Sequence, residues 1–169
     1  MRTKLNPNID WTIIFFHRPL YSASATEFAS MTKTYHPIFE EFGVDLVLQG
    51  HSHNYQRTYP LLFNDERHSK PIISEKEKYQ YHDPKGVIFV VAGTGGESIQ
   101  PLNKKSFLVS EYEGYGCLNV EIDGNSMNVE YYSDMNDTID KFMVTKEHQS
   151  KNLDEKTQLQ EIKYHQPTN

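Results

Sequence analysis

The sequence predicts an α/β (α+β) fold, in which a strand-helix-strand unit near the start of the chain precedes a mostly β remainder. Residues 11–16 and 44–49 are short apolar runs typical of largely buried strands, and residues 25–42 between them carry apolar side chains at near-helical spacing. Such a crossover places the two strands parallel in one sheet. The later strand-like runs are residues 87–92, 116–122, 127–133 and 139–144.

Histidines follow both of the first two strands. His17 ends the first run, and Pro19 two positions later cannot continue a sheet ladder. After the second run, Gly50 permits a sharp turn and leads into His51 and His53. The carboxyl ends of parallel strands meet at the edge where α/β proteins usually bind ligands. We therefore expect these three imidazoles to converge as metal ligands, with a plain polar loop as the alternative for the second pair.

The residues around these histidines resemble a known family. The two motifs are similar to those of calcineurin-like metallophosphoesterases of the purple acid phosphatase type, in the C-terminal part of the catalytic domain. That family's fold is a β-sandwich flanked by helices, and this chain would be its C-terminal half. The resemblance assigns residues 1–145 to the catalytic domain and leaves residues 146–169 as a polar tail, either a short helix or disordered. The motifs are Phe16-His17-Arg18-Pro19-Leu20-Tyr21 and Gly50-His51-Ser52-His53-Asn54-Tyr55-Gln56-Arg57.

The resemblance implies metal-dependent hydrolysis of small phosphoric monoesters, as in acid phosphatases. The intact family uses a dinuclear centre of iron paired with zinc, manganese or a second iron. By resemblance, His17 and His51 would bind the divalent ion and His53 the ferric ion. Arg57 and Tyr55 are candidates for contacting the substrate phosphate. Bracing of the loop by the planar guanidinium is the favoured alternative for Arg57.

The family's earlier motifs are missing from this sequence. It contains no Gly-Asp pair and no Asn-His pair, so the bridging carboxylate, the amide ligand and the catalytic histidine are unassigned. Two neighbouring cations repel each other, and three neutral imidazoles are expected to hold at most one metal. We therefore expect a truncated phosphatase that is inactive or weakly active alone. The alternative is a non-catalytic metal-binding fragment or interaction module of the same fold.

Composition limits the partners. The chain has 169 residues and a formal net charge of -6, which argues against a nucleic-acid-binding module. No apolar stretch approaches the roughly 20 residues that span a bilayer, and no signal peptide is recognisable. The compartment stays open, although the intact family is often secreted. Loss of neighbouring strands would expose an apolar face, so self-association or docking of the N-terminal half of the enzyme is expected.

Several other features receive plain structural interpretations. Cys117 is expected to be a buried structural thiol, and His36 a surface residue. Residues 64–85 are polar and predict a surface hairpin or long loop. The glycines around Thr94 predict a tight turn rather than a phosphate-binding loop. Asp123-Gly124-Asn125 between two strand-like runs predicts a hairpin.

Overall fold

The computed structural model describes residues 9–24 and 28–147, which form two main sheets, a two-stranded sheet and a helix. The helix is α1 (Ala29–Glu41). The strands are β1 (Ile13–Phe15), β2 (Leu46–Gln49), β3 (Tyr55–Thr58), β4 (Leu61–Leu62), β5 (Ile72–Ile73), β6 (Gln80–His82), β7 (Ile88–Ala92), β8 (Leu108–Tyr112), β9 (Gly116–Asp123), β10 (Ser126–Ser133) and β11 (Thr138–Thr145).

The first sheet contains the predicted crossover. Its strand order is β1-β2-β7-β3-β8, and β1 runs parallel to β2 with Ile13 opposite Leu46 and Phe15 opposite Leu48. Strand β2 is parallel to β7, whereas β3 is antiparallel to both of its neighbours. This confirms that the two histidine-bearing strands are neighbours. Helix α1 begins at Ala29 rather than at residue 25, and residues 25–27 lie outside the described residues.

The second sheet has the strand order β6-β11-β10-β9. The predicted hairpin is confirmed, because Asp123 pairs with Ser126 and the turn contains Gly124 with a φ of 54°. The polar segment 64–85 is more ordered than expected. It supplies β5, which pairs with β4, and β6, which runs parallel to β11. Strands this short, flanked by charged residues, carry too little alternation to be recognised in the sequence.

The sheets pack face to face, and α1 covers the outer face of the first sheet. Between the sheets, buried side chains from β2, β3 and β7 meet those from β10 and β11. On the other side, Phe39 of α1 belongs to a second apolar cluster with Val47 and Phe89. The arrangement confirms a β-sandwich flanked by a helix. No helix in residues 9–24 or 28–147 is long and apolar enough to cross a membrane.

The surface position expected for His36 is wrong. Its side chain is fully buried, lies in an edge-to-face contact with Phe89, and its Nδ1 is 2.6 Å from the Tyr21 hydroxyl. Burial outweighs the hydrogen bond to Leu61 and lowers the pKa of His36 to about 4. The residue turns inward because it shares the buried face of α1 with Thr32 and Phe39, whereas the apolar Tyr35 and Ile38 are exposed. It thereby joins α1 to the segment that follows His17.

Acid should therefore destabilise the protein through His36. A histidine whose folded pKa lies below its unfolded value contributes stability above pH 6.5 that is lost as pH falls towards 4. We expect the free energy of unfolding to fall by about 2 kcal/mol between pH 7 and pH 5 from this group. Urea unfolding of the protein and of His36→Gln at both pH values measures the difference. Equal pH dependence in the two proteins would contradict the assignment.

The buried position expected for Cys117 is also wrong, since its thiol is exposed. Strand β9 lies at the edge of its sheet, and side chains along it alternate between inner and outer faces. Leu118 and Val120 are half-buried against the core, which places Cys117 in the opposite phase. The sequence contains this alternation, because Asn119 and Glu121 share the phase of Cys117. Lys146, the first residue of the expected tail, is buried beside Asp45, whereas residues 148–169 lie outside the described residues.

Candidate metal centre

The carboxyl ends of β1 and β2 bring two histidine rings together. The Nε2 atom of His17 lies 3.3 Å from the Nδ1 atom of His51, and the rings meet edge to face. The backbone supports this pairing, because Gly50 N–H donates to the His17 carbonyl oxygen at 3.0 Å. Two ring nitrogens at this separation can both point their lone pairs at one cation. The sequence predicted this convergence from the strand ends alone.

The sharp turn occurs at His51 rather than at Gly50. His51 has a φ of 67°, while a Cβ on Gly50 would make only an ordinary 3.7 Å contact with His17 Nδ1. The Ser52 N–H donates to the Gly50 carbonyl oxygen at 2.8 Å, which closes a three-residue turn around His51. A side chain at positive φ is strained and is found mainly where a site requires it. The expectation that glycine makes the turn is therefore corrected.

His53 occupies a separate position in the same loop. Its Nδ1 lies 3.1 Å from the Ser98 carbonyl oxygen, and its backbone N–H donates to Gln100 Oε1 at 3.2 Å. A carbonyl can only accept, so Nδ1 carries the proton and Nε2 keeps the lone pair, as in metal-binding histidines. His53 does not form a three-ligand cluster within 4.8 Å with His17 and His51. The structure brings two of the three predicted ligands together and orients the third separately.

A buried polar network supports the loop from below. Ser22 Oγ and Ser52 Oγ are 3.0 Å apart, and Gln56 Nε2 donates to Ser22 Oγ at 3.2 Å and to Asn54 Oδ1 at 2.6 Å. Asn54 also donates to Ser24 Oγ at 3.2 Å. These side chains are all buried. The sequence analysis missed them, although amide side chains inside a short buried strand are a recognisable sign of such a network.

The glycine turn after β7 holds the same loop from the side. A Cβ on Gly93 would overlap the Ser52 carbonyl oxygen, lie 2.8 Å from the Ser52 carbonyl carbon and reach the His53 Cα at 3.5 Å. Gly93 N–H also donates to the Asn54 carbonyl oxygen at 3.3 Å. The turn therefore lets two backbones approach closely at the histidines.

Arg57 and Tyr55 are fully buried and do not face the histidine loop. Arg57 forms a bidentate pair with Asp140, with Nε to Oδ2 at 2.6 Å and Nη2 to Oδ1 at 2.9 Å. The Tyr55 hydroxyl donates to the same carboxylate at 2.7 Å, and burial with the Asp140 charge raises its pKa well above the ordinary value. Neither side chain is placed to contact a phosphate in solvent. This geometry agrees with the bracing alternative for Arg57.

Positive charge at the site comes from another arginine. Arg18 is exposed, follows His17 directly, and its guanidinium carbon lies 5.3 Å from the centre of the Phe28 ring. The same ring contacts His51 edge to face at 5.3 Å. Desolvation, then the charges of His17, Arg18 and His53, lower the pKa of His51. A neutral His51 is the form that binds metal.

A different group of side chains could also hold a cation. His82, Asp83 and Glu147 are exposed and place one ligand atom each within 4.8 Å of the others. Among the described residues, no other group of three meets this spacing. The group lies at the end of β6 in the second sheet. Exposed acidic groups commonly cluster without an ion.

Comparisons with known proteins find similarity to phosphoesterases. The family model for calcineurin-like phosphoesterases matches residues 2–55. An acid phosphatase of Aspergillus ficuum is 30% identical over 87 residues, which cover 51% of this chain and 14% of the relative. The mouse (Mus musculus) acid phosphatase type 7 is 26% identical over 147 residues, covering 75% of this chain and 32% of the relative.

A solved structure extends the likeness to the fold. A purple acid phosphatase from yellow lupin (Lupinus luteus) seeds superimposes with a TM-score of 0.69 and 23% identity, covering 82% of this chain and 25% of that one. The chain thus spans a third or less of each of these proteins. The family model includes the segment with His17, His51 and His53, and the fold similarity covers most of the sandwich. The chain therefore resembles calcineurin-like phosphoesterases in its histidine segment, and its fold is similar to that of a purple acid phosphatase.

Proposed function

We propose that this chain supplies the histidine part of a metal-dependent phosphoric monoester hydrolase site, in which His17 and His51 hold one divalent ion. The observation that carries the proposal is the 3.3 Å separation of His17 Nε2 and His51 Nδ1. Two nitrogens bound tetrahedrally to one zinc at about 2.0 to 2.1 Å lie roughly 3.3 Å apart. The separation of the two nitrogens therefore suits binding to a single ion.

The residues do not fit a complete dinuclear centre. His53 presents one nitrogen, and the sequence contains no Gly-Asp motif to provide a bridging carboxylate. Two cations held only by neutral imidazoles would repel each other strongly. We therefore assign one ion to His17 and His51. We propose that His53 binds a second ion only when carboxylates from outside this chain are present.

This chain's own residues have clear tasks in such a site. A bound divalent ion would polarise a phosphoryl oxygen and acidify water. Arg18 provides an exposed positive charge next to the pair, which attracts a phosphate dianion. The polar network under Ser52 holds both histidines of the loop in place. The group that protonates the leaving alkoxide is unassigned, so residues 1–145 are proposed as a portion of a catalytic domain.

The absence of the carboxylate and Asn-His motifs favours a second candidate function, a non-catalytic metal-binding module of the same fold. Both candidates require the same ion at His17 and His51. They differ in turnover, which only the hydrolase achieves once the missing ligands are supplied.

Zinc titration by calorimetry, combined with hydrolysis of p-nitrophenyl phosphate, tests the proposal. We expect one zinc per chain and little turnover by the chain alone. Loss of an outer hydrogen-bonding partner weakens metal binding by about 10- to 100-fold. His51→Ala removes a direct ligand and should weaken zinc binding by more than this. His82→Ala is the matched control, because it removes the histidine of the exposed acidic group and should leave zinc binding unchanged.

Equal zinc affinity in His51→Ala and the unmodified chain would contradict the metal assignment. Zinc binding lost in His82→Ala instead would move the ion to the second sheet. Turnover by the chain alone that disappears in His51→Ala would establish the hydrolase and refute the need for further carboxylates.

A further inference from the structure

Residues 93–100, which follow β7 and which we call the clamp, contact the histidine loop repeatedly. Gln100 N–H donates to the His53 carbonyl oxygen at 2.9 Å, and Gln100 Oε1 accepts from His53 N–H at 3.2 Å. The Gln100 carbonyl oxygen also accepts from Asn54 Nδ2 at 3.1 Å. Together with the Ser98 carbonyl oxygen at Nδ1, these bonds hold both the backbone and the ring of His53.

Thr94 attaches the clamp to the second sheet. Its side chain is 2% exposed, and its Oγ1 donates to the Gly116 carbonyl oxygen of β9 at 3.0 Å. The Tyr131 hydroxyl of β10 donates to the same Oγ1 at 2.8 Å. A carbonyl oxygen can only accept, so the hydroxyl proton of Thr94 is directed at Gly116 and its oxygen accepts from Tyr131. One hydroxyl group therefore ties the clamp to both β9 and β10.

The partners of Thr94 are themselves held by tight packing. A Cβ on Gly116 would lie 2.6 Å from the Tyr131 hydroxyl oxygen and would overlap the Tyr132 carbonyl oxygen. The Tyr131 ring also stacks on Tyr55, with the ring centres 4.0 Å apart, and Tyr131 is fully buried. Close-packed cores leave side chains little room to move. The second sheet thus offers Thr94 a rigid point of attachment.

The first two residues of the clamp contact different parts of the protein. Gly93 N–H donates to the Asn54 carbonyl oxygen at 3.3 Å, and a Cβ on Gly93 would overlap the Ser52 carbonyl oxygen. Thr94, the next residue, binds β9 and β10. Consecutive Cα atoms lie about 3.8 Å apart across a planar peptide, so Thr94 cannot shift without moving Gly93. The histidine loop is thereby held at a fixed distance from the second sheet.

We propose that Thr94 is a positioning residue for the candidate metal centre, because it anchors the clamp on the second sheet and so holds the His53 ring in its ligand orientation. The inference rests on the proposed function, which makes His53 a metal ligand. Thr94 acts through other residues, since Tyr131 and Gly116 occupy its hydroxyl. In the anchored clamp, the Ser98 carbonyl oxygen keeps the proton on Nδ1 and leaves Nε2 for an ion.

Thr94→Val tests the inference, because valine keeps the branched shape of threonine and removes the hydroxyl. The nitrogen NMR signals of the His53 ring, recorded on the metal-free chain at alkaline pH, distinguish a proton on Nδ1 from one on Nε2. We expect Nδ1 protonation in the unmodified chain and a mixture of the two forms in Thr94→Val. Zinc affinity should fall about 2- to 30-fold, because His51 lies in the same loop. Thr94→Ser keeps the hydroxyl and should restore both.

Thr58→Val is the matched control. Thr58 is also 2% exposed, and its Oγ1 accepts from Phe89 N–H at 3.0 Å, near the start of β7 rather than at the clamp. We expect Thr58→Val to lower the free energy of unfolding in urea as Thr94→Val does, and to leave the ring signals and zinc affinity unchanged. If Thr94→Val does not fold, Tyr131→Phe removes only the donor to Thr94 and should shift the ring signals in the same direction.

Unchanged ring signals of His53 in Thr94→Val or, where that variant does not fold, in Tyr131→Phe would overturn the proposal. So would an equal change in Thr58→Val, because the ring would then respond to stability alone. Ring signals that change as expected in a chain that binds no zinc would overturn the proposed function and leave the orientation by Thr94 established.

Discussion

Replacing Gly93 with alanine is expected to destabilise the protein by about 3 kcal/mol or more and to disrupt the histidine loop. The added Cβ would overlap the Ser52 carbonyl oxygen and lie 2.8 Å from the Ser52 carbonyl carbon. These are backbone atoms, so no side chain can rotate away to relieve the overlap. Either β7 or the loop must move, and the loop carries His51 and His53 on both sides of Ser52.

Gly95→Ala is the matched control for Gly93→Ala. A Cβ on Gly95 meets nothing within 4 Å, and both glycines lie in the segment that follows β7. We expect Gly95→Ala to change stability by less than about 0.5 kcal/mol and to keep zinc binding. Urea unfolding and zinc calorimetry on both variants provide the comparison. If Gly93→Ala unfolded and bound zinc like the control, the close approach of the two backbones would not hold the site.

The pairing of His17 with His51 could be predicted because strand topology determines it. Two apolar runs separated by a helical segment form parallel neighbours, so residues just after them meet at one edge. Strand topology does not predict the position of His53, because that position depends on hydrogen bonds to Ser98 and Gln100 far along the chain. Sequence spacing specifies which residues leave a strand together, but it does not specify which distant carbonyl oxygen orients a ring.

Conformation at single residues was harder to predict. Glycine was the natural choice for a sharp turn, yet His51 adopts the positive φ because the hydrogen bond from Ser52 to Gly50 closes the turn around it. His36 and Cys117 were misplaced for a related reason. Their burial depends on which side of an element faces the core. In α1 the apolar Tyr35 and Ile38 are exposed while His36 is buried, so the apolar pattern does not mark the buried side. In β9 the alternation is present, and Cys117 shares the phase of the polar Asn119 and Glu121.

The second large effect concerns Arg57 and Asp140, which lie 83 residues apart in sequence. Arg57 belongs to β3 of the first sheet and Asp140 to β11 of the second, so their bidentate pair joins the two sheets. The guanidinium also donates to the Tyr81 hydroxyl at 3.1 Å and to the Lys78 carbonyl oxygen at 3.0 Å, and lies 4.3 Å from the centre of the Phe142 ring. All of these contacts of the Arg57 guanidinium are made inside the protein.

Asp140→Asn is expected to lower the free energy of unfolding by about 3 to 5 kcal/mol. The amide keeps the shape of the carboxylate but leaves the charge of Arg57 buried without a counter-ion, which is the costly way to break such a pair. The Tyr55 hydroxyl loses a charged acceptor at the same time. Urea denaturation at pH 7 measures the loss.

Glu130→Gln is the matched control, because it neutralises the partner of Lys141, which follows Asp140 on β11 and pairs across to β10. The Lys141 side chain is 63% exposed, so solvent screens this pair and its loss should cost far less than loss of the buried pair. Arg57→Met with Asp140→Leu removes both buried charges and should recover much of the loss, since no uncompensated charge remains. If Asp140→Asn destabilised the protein no more than Glu130→Gln does, the Arg57 guanidinium would have to reach solvent. Arg57 would then again be a candidate for binding phosphate.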